Sequence, residues 1–339
     1  MKTSSFEMVN ARPILTDLRS RIQAYDASQT VYLSRERPTH SSDRPVSMLD
    51  MSSFGIHEIV LPGLLQFLGI RSLTLDSPYD LTSLAGLRID TTHIASERYP
   101  WIFVRNEAII SELRALFSCC RTVAFDNWSS LTGASDLWSG LLYDVIKPIR
   151  KKDLEFIFYL GDPQHRLSFQ VDEVLDIISD FSLYGKVTFA LDESEAGKLW
   201  RVLNGIQADA GMADEDASDL NRKCISIFRT LNVTRLLVYS ASKAVLFSEQ
   251  QQFTLARMRA APVLEMATDA RQNFITGFSM SLLLQLEIAH CVAFGLVVFG
   301  SFGERSGRLD QKNLLAYIDQ WIDDLERPDT MHLYQESPG

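Results

Sequence analysis

The sequence predicts a mostly parallel, doubly wound α/β sheet with helices on both faces. Three observations predict it. Short apolar runs of strand length recur along the chain, among them TVAFD (122–126) and LEFIFYL (154–160). Each is followed by a segment of helical apolar spacing, and the alternation spans nearly the whole chain. Several strand ends carry the Asp, Gly or Pro that stops a strand and turns it toward a helix, as in GDP (161–163).

Taken in order, residues 1–44 are polar and mixed, with Pro13 and Pro38, and read as a partly extended N-terminal segment. HEIVLPGLLQFLGI has helical spacing and stops at Gly69, and SLTLD (72–76) is a short strand. LTSLAGLRID is a second helix. TVAFD is a buried strand ending at Asp126, and SDLWSGLLYDVIKPIR is a helix. LEFIFYL is an interior strand ending at Asp162, followed by the helix QVDEVLDIISDF. KVTFALDESEAGKLWRVL is strand, turn and helix; TRLLVYSASKAVLF is two strands with a turn between. The acidic stretch 207–221 reads as a surface loop or frayed helix. Phe278–Phe302 is the one long apolar run, but Gln285, Glu287, His290 and its glycines favour a buried helix pair over a membrane span. LDQKNLLAYIDQWIDDLE is an amphipathic helix, and 326–339 is a tail. The expected organisation is one domain over 45–325.

Composition narrows the function. The chain has 339 residues, 46% hydrophobic and 22% charged, with a net charge of −10. That balance argues against nucleic acid as a partner, because phosphate contacts need clustered Lys and Arg. The four cysteines include no C-x-x-C pair, so neither a zinc site nor a redox pair is indicated. Without an apolar signal core at MKTSSFEMVNARP, a cytoplasmic, reduced protein is expected. His57, His93, His165 and His290 share no metal spacing, and His290 reads as a core histidine. In doubly wound sheets ligands bind beyond the carboxyl ends of the strands, which makes Asp126 and Asp162 site candidates. TDARQNFITGF (268–278) reads as a turn feeding a helix N-terminus, a place that suits an anion.

The order of segments over roughly residues 45–320 resembles the ribokinase/PfkB carbohydrate-kinase family, most closely its heptose-phosphate kinase branch. The family's turn Asp-Thr-Thr-Gly-Ala-Gly-Asp is similar in register to Met266–Gln272. Asp269 and Arg271 then stand at its two glycines, with Ala270 between them, and Gln272 stands where the family's catalytic base is. AFGLVVFGSFGERSG looks like the helix beside the nucleotide and its terminal glycine loop, with Gly303 in that loop. VYSASKA lies where a Thr-x-Gly-x-x-Gly nucleotide turn is expected, with Ala241 and Ala244 in place of glycines. LDESEAGKL is similar to the Asn-x-x-Glu signature, so Asp192 and Glu195 are the expected weak magnesium pair. Gly55 and Asp126 remain of the sugar-binding positions.

The resemblance implies ATP, magnesium and a sugar or sugar phosphate as ligands if the chain is active, and a homodimer or pairing with a related subunit. The residues at the chemistry argue the other way. A carboxylate at Asp269 repels a polyphosphate by on the order of a few kcal/mol. A glutamine is neutral at physiological pH and is no general base, a loss of about 10²–10⁴ in rate. Phosphoryl transfer depends mostly on positioning and charge stabilisation, and both are altered. The expectation is a kinase homologue with degenerate catalysis that binds a sugar ligand or acts as a regulatory subunit. The rival is an active kinase whose base is Asp126, Asp162 or Glu195, with Arg271 binding phosphate.

Overall fold

The computed structural model describes residues 7–24, 48–50, 72–74, 122–125, 128–130, 133–206, 217–240, 242–257, 268–283, 286–305 and 311–326, with scattered positions from 101 to 118. Nine strands form a single sheet: β1 (Glu7–Met8), β2 (Met48–Asp50), β3 (Ser72–Thr74), β4 (Thr122–Phe125), β5 (Leu154–Tyr159), β6 (Gly185–Asp192), β7 (Arg235–Tyr239), β8 (Lys243–Ser248) and β9 (Gln252–Ala256). Their order is β3-β2-β4-β5-β6-β7-β8-β9-β1. All pairings are parallel except β7 with β8 and β8 with β9, so β8 alone is reversed. This is the mostly parallel sheet expected from sequence, and LEFIFYL lies inside it, between β4 and β6.

Both faces are covered, which is why the strands read as continuous apolar runs. Side chains alternate across the sheet with period two. Val123, Phe125, Phe156, Phe158, Phe189 and Val238 join one core cluster. Ala124, Ile157, Tyr159, Ala190, Leu237 and Tyr239 join the other. The first face holds a helical rod, α2 (Ala134–Gly140 and its continuation to Ile149), with α3 (Ser168–Phe181), α4 (Glu193–Leu203) and α5 (Ala217–Thr230). The second holds α1 (Ala11–Ala24), α6 (Thr268–Leu283), α7 (Ile288–Arg305) and α8 (Gln311–Glu326).

The α2 rod is Ala134–Gly140, a π-helical stretch Leu141–Ile146, and Lys147–Ile149. Pro148 offers no N–H to the carbonyl of Asp144 four residues back. Arg114 Nε donates to that carbonyl instead, at 2.9 Å. A left-handed Arg150 ends the rod.

The apolar run near the C-terminus forms the helix pair α6–α7, packed main chain to main chain. A Cβ on Gly277 would lie 2.8 Å from the carbonyl oxygen of Phe294, and one on Gly295 would lie 2.9 Å from the Phe274 ring. Phe274 and Phe278 are fully buried, and Leu282 packs at the edge of the same cluster. No helix among the described residues is long and apolar enough to cross a membrane.

Four elements go beyond those expected from the sequence. Residues 11–24, read as part of a mixed extended segment, are a helix whose Ile14, Leu15, Leu18 and Ile22 are buried. Part of the acidic stretch, from Ala217, opens α5. β1 and β9 complete the sheet edge. The elements expected over 51–71, 75–100 and 207–216 lie outside the described residues.

Candidate functional site at the carboxyl edge

Parallel strands bring their carboxyl ends to one edge, and there α4 links two charged groups. β6 ends at Asp192, and α4 starts at the next residue because the pair Asp192 and Glu195 closes a capping box. Glu195 N–H donates to Asp192 Oδ1 at 2.7 Å, and Asp192 N–H donates to Glu195 Oε2 at 2.9 Å. These bonds satisfy donors the helix start would otherwise leave open. The carboxylates also suit the positive end of the helix dipole. Both residues are buried, so the pair is structural in the first instance. Among the described residues no group of three or more His, Cys, Asp or Glu is placed to hold a metal ion. As the expected magnesium pair, Asp192 and Glu195 would offer hard carboxylate oxygens, of which each uses one in the capping box.

Asp162 follows the left-handed Gly161 beyond β5. Its carboxylate caps a short 3₁₀ turn, accepting from Gln164 N–H at 3.0 Å, and accepts from Lys198 Nζ of α4. Burial works to raise its pKa, but the Lys198 ammonium, the Gln164 N–H and nearby His165 outweigh it and hold Asp162 below its ordinary value of 3.8. One turn of α4 therefore carries both Glu195 and the lysine that holds Asp162. A second pair, Lys243 Nζ with Glu193 at 2.9 Å, ties the start of β8 to the same helix end.

Because the folded pKa of Asp162 is depressed, its stabilising contribution is present above about 3.8 and is lost as pH falls through the lower folded value. Asp162→Asn is thus expected to lower the melting temperature at about pH 7, and the gap to wild type should narrow on acidification toward about pH 3. A gap that stays constant over that range would refute the ion pair as its source.

Helix α6 already begins at Thr268, so Asp269, Ala270, Arg271 and Gln272 belong to its first turns rather than to a turn before it. α7 likewise runs through Gly303 to Arg305, where the sequence suggested a glycine loop. The β7–β8 connection is a tight hairpin, with Ser240 N–H donating to the Lys243 carbonyl at 2.8 Å. Ala244 pairs with Tyr239 across it and is buried in the second core cluster. Ala241, Gly55 and Asp126 lie outside the described residues, as do Cys119 and Cys120. Trp128 is a core residue, bonded through Nε1 to Ser135 at 2.9 Å, with Arg166 over its ring. Burial pushes the Cys224 and Cys291 thiols up to about 12, which leaves them inert core residues. His290 is mostly buried and meets Asp17 of α1 at 3.2 Å.

Lys198, Lys243 and Asn273 were not singled out by sequence. No local spacing signals the first, because its partner Asp162 lies 36 residues away. Asn273, directly after Gln272, is fully buried, and its amide oxygen and nitrogen have no hydrogen-bond partner among the described residues.

No family model and no curated protein matches this chain. Solved structures do. A putative sugar kinase from Clostridium perfringens is 16% identical over 65% of this chain and 62% of its own, with a TM-score of 0.46. Arabidopsis thaliana ribokinase, complexed with ribose and ATP, is 16% identical over 63% and 59%, with a TM-score of 0.43. Bacillus subtilis pyridoxal kinase, as an ADP complex, is 10% identical over 74% and 89%, with a TM-score of 0.48. The match thus spans less than two thirds of the first two proteins. These are likenesses of fold; the chemistry of this chain rests on its own side chains.

Proposed function

We propose that this chain is a PfkB-type carbohydrate-kinase homologue that has lost phosphotransfer and binds a sugar or sugar phosphate as a regulatory or interaction subunit. One observation carries the reading: both described carboxylates that could replace the missing base are already engaged. Asp162 is held ionised by Lys198, and its lowered pKa makes it a weak base. Glu195 is bound to the main chain of Asp192. Gln272, at the position of the family's base, takes no proton at neutral pH. Asp269 and Arg271 replace the glycines that would let backbone N–H groups close on a phosphate. Self-association, or pairing with a related subunit, belongs to the same proposal.

The test is sugar-dependent ADP release by the wild-type protein with ATP, magnesium and a panel of sugars and sugar phosphates. No release is expected, together with a rise in melting temperature on adding a sugar or sugar phosphate and none on adding ATP–magnesium. Robust release that survives Gln272→Ala and is abolished by Asp126→Asn or Asp162→Asn would establish an active ATP-dependent kinase with a relocated base.

A further inference from the structure

A cavity of about 580 Å³ opens at the other edge of the sheet. Every strand residue in its wall is the first or second of its strand: Thr122 of β4, Leu154 and Glu155 of β5, Lys186 of β6 and Arg235 of β7. The candidate site described above lies at the carboxyl ends, so the two are separated by the length of the strands. The remaining wall comes from Lys152 and Asp153 before β5 and from the corner between α6 and α7.

The wall has two chemically distinct parts. One is apolar: Leu282, Leu286 and Ile288, with Leu154 lining the cavity from a position whose side chain is buried in the first core cluster. The other carries three cations, Lys152, Lys186 and Arg235, against two carboxylates, Asp153 and Glu155. Glu155 faces two of those cations at once. Arg235 grips both of its oxygens, at 3.0 and 3.2 Å, and Lys186 Nζ stands 3.5 Å away. One positive charge is thereby left in excess. At the buried end of the wall is Thr122, fully inaccessible, whose hydroxyl has no hydrogen-bond partner among the described residues. Ile288 is the first residue of α7, and first-turn N–H groups of a helix favour negative charge.

We propose that this cavity binds a small amphipathic anion, with a carboxylate or phosphate head among Lys152, Lys186 and Thr122 and an apolar body against Leu282, Leu286 and Ile288. The volume is within the range of about 300–1,000 Å³ usual for organic ligands and far exceeds that of a bare inorganic anion. An inorganic anion would leave the apolar wall uncovered, and a neutral hydrocarbon would leave the Thr122 hydroxyl unsatisfied. Binding here does not depend on whether the carboxyl edge transfers phosphate.

Binding to the full-length protein is measured by calorimetry with three probes: phenyl phosphate, hexanoate and inorganic phosphate. At least one organic anion should bind about tenfold or more tightly than inorganic phosphate, and comparison of the two identifies the head group. Lys186→Ala, at an exposed side chain, and the isosteric Thr122→Val should each weaken that binding about fivefold or more. Leu286→Trp, at a half-buried position, should fill the apolar part and abolish it, while Lys198→Ala at the opposite edge leaves it unchanged. The proposal is overturned if neither organic anion binds, if inorganic phosphate binds as tightly, or if binding survives both Thr122→Val and Leu286→Trp in variants whose melting curves show a folded protein.

Discussion

Phe158→Ala is expected to lower the stability of the fold by about 3–5 kcal/mol, the range for removing a fully buried aromatic side chain. Phe158 is the hub of an aromatic cluster under the first face of the sheet. Its ring stacks on Phe125 with centroids 4.7 Å apart and planes at 4°. Phe181 of α3 meets it edge-on at 4.9 Å, and Trp138 of the α2 rod lies at 5.3 Å. The substitution therefore removes contacts to a neighbouring strand and to two helices, and the close packing around it cannot collapse into the gap without moving the sheet. Urea unfolding is the measurement: the midpoint should fall with the slope unchanged. A loss under about 1 kcal/mol would mean that the cluster repacks and does not define the core.

A comparable loss is expected from Asp324→Ala. Arg257, just past β9, is almost completely buried. Its guanidinium pairs with Asp324 of α8 at 3.3 Å, donates to the Tyr317 hydroxyl and lies 4.5 Å from the centre of the Tyr317 ring. Deleting the carboxylate takes a counter-charge away from a buried cation, which costs about 3–5 kcal/mol. Arg257→Met combined with Asp324→Leu should recover much of the loss, because exchanging a buried ion pair for apolar groups of similar size is often close to neutral. The double-mutant cycle separates the two terms. If Asp324→Ala is neutral, α8 is not held to the sheet edge by this pair.

Much of the fold was legible because it rests on local patterns. LEFIFYL and TVAFD are apolar on both sides, as strands covered on two faces must be. The missed elements had readable patterns obscured by composition. In α1, Ile14, Leu15, Leu18 and Ile22 keep helical spacing among Arg and Asp, but Pro13 argued for an extended chain. Cys224 and Ile227 of α5, with Leu231 just past its end, are buried at helical spacing after an acidic run. β9 alternates strictly, with Phe253 and Leu255 inward. β1 has two residues, too few for any periodicity, and its pairing with β9 joins positions nearly 250 residues apart. At the site, topology alone pointed to Asp162, and the Asn-x-x-Glu likeness to Asp192 and Glu195. The lysine on Asp162 is 36 residues away in sequence, so no local window contains the pair. The amino-edge cavity has no motif at all, since its wall is gathered from four strands, each giving one or two residues, and from a distant helix corner.

Helix α6 is fastened to the sheet at Phe274 and to α7 at Gly277. Phe274 stacks on Tyr239 at 4.2 Å, and Gly277 abuts the Phe294 carbonyl. Positions 269–272 precede these fixings. Whatever shifts those fixings carries residues 269–272 with it, since one helix bears both.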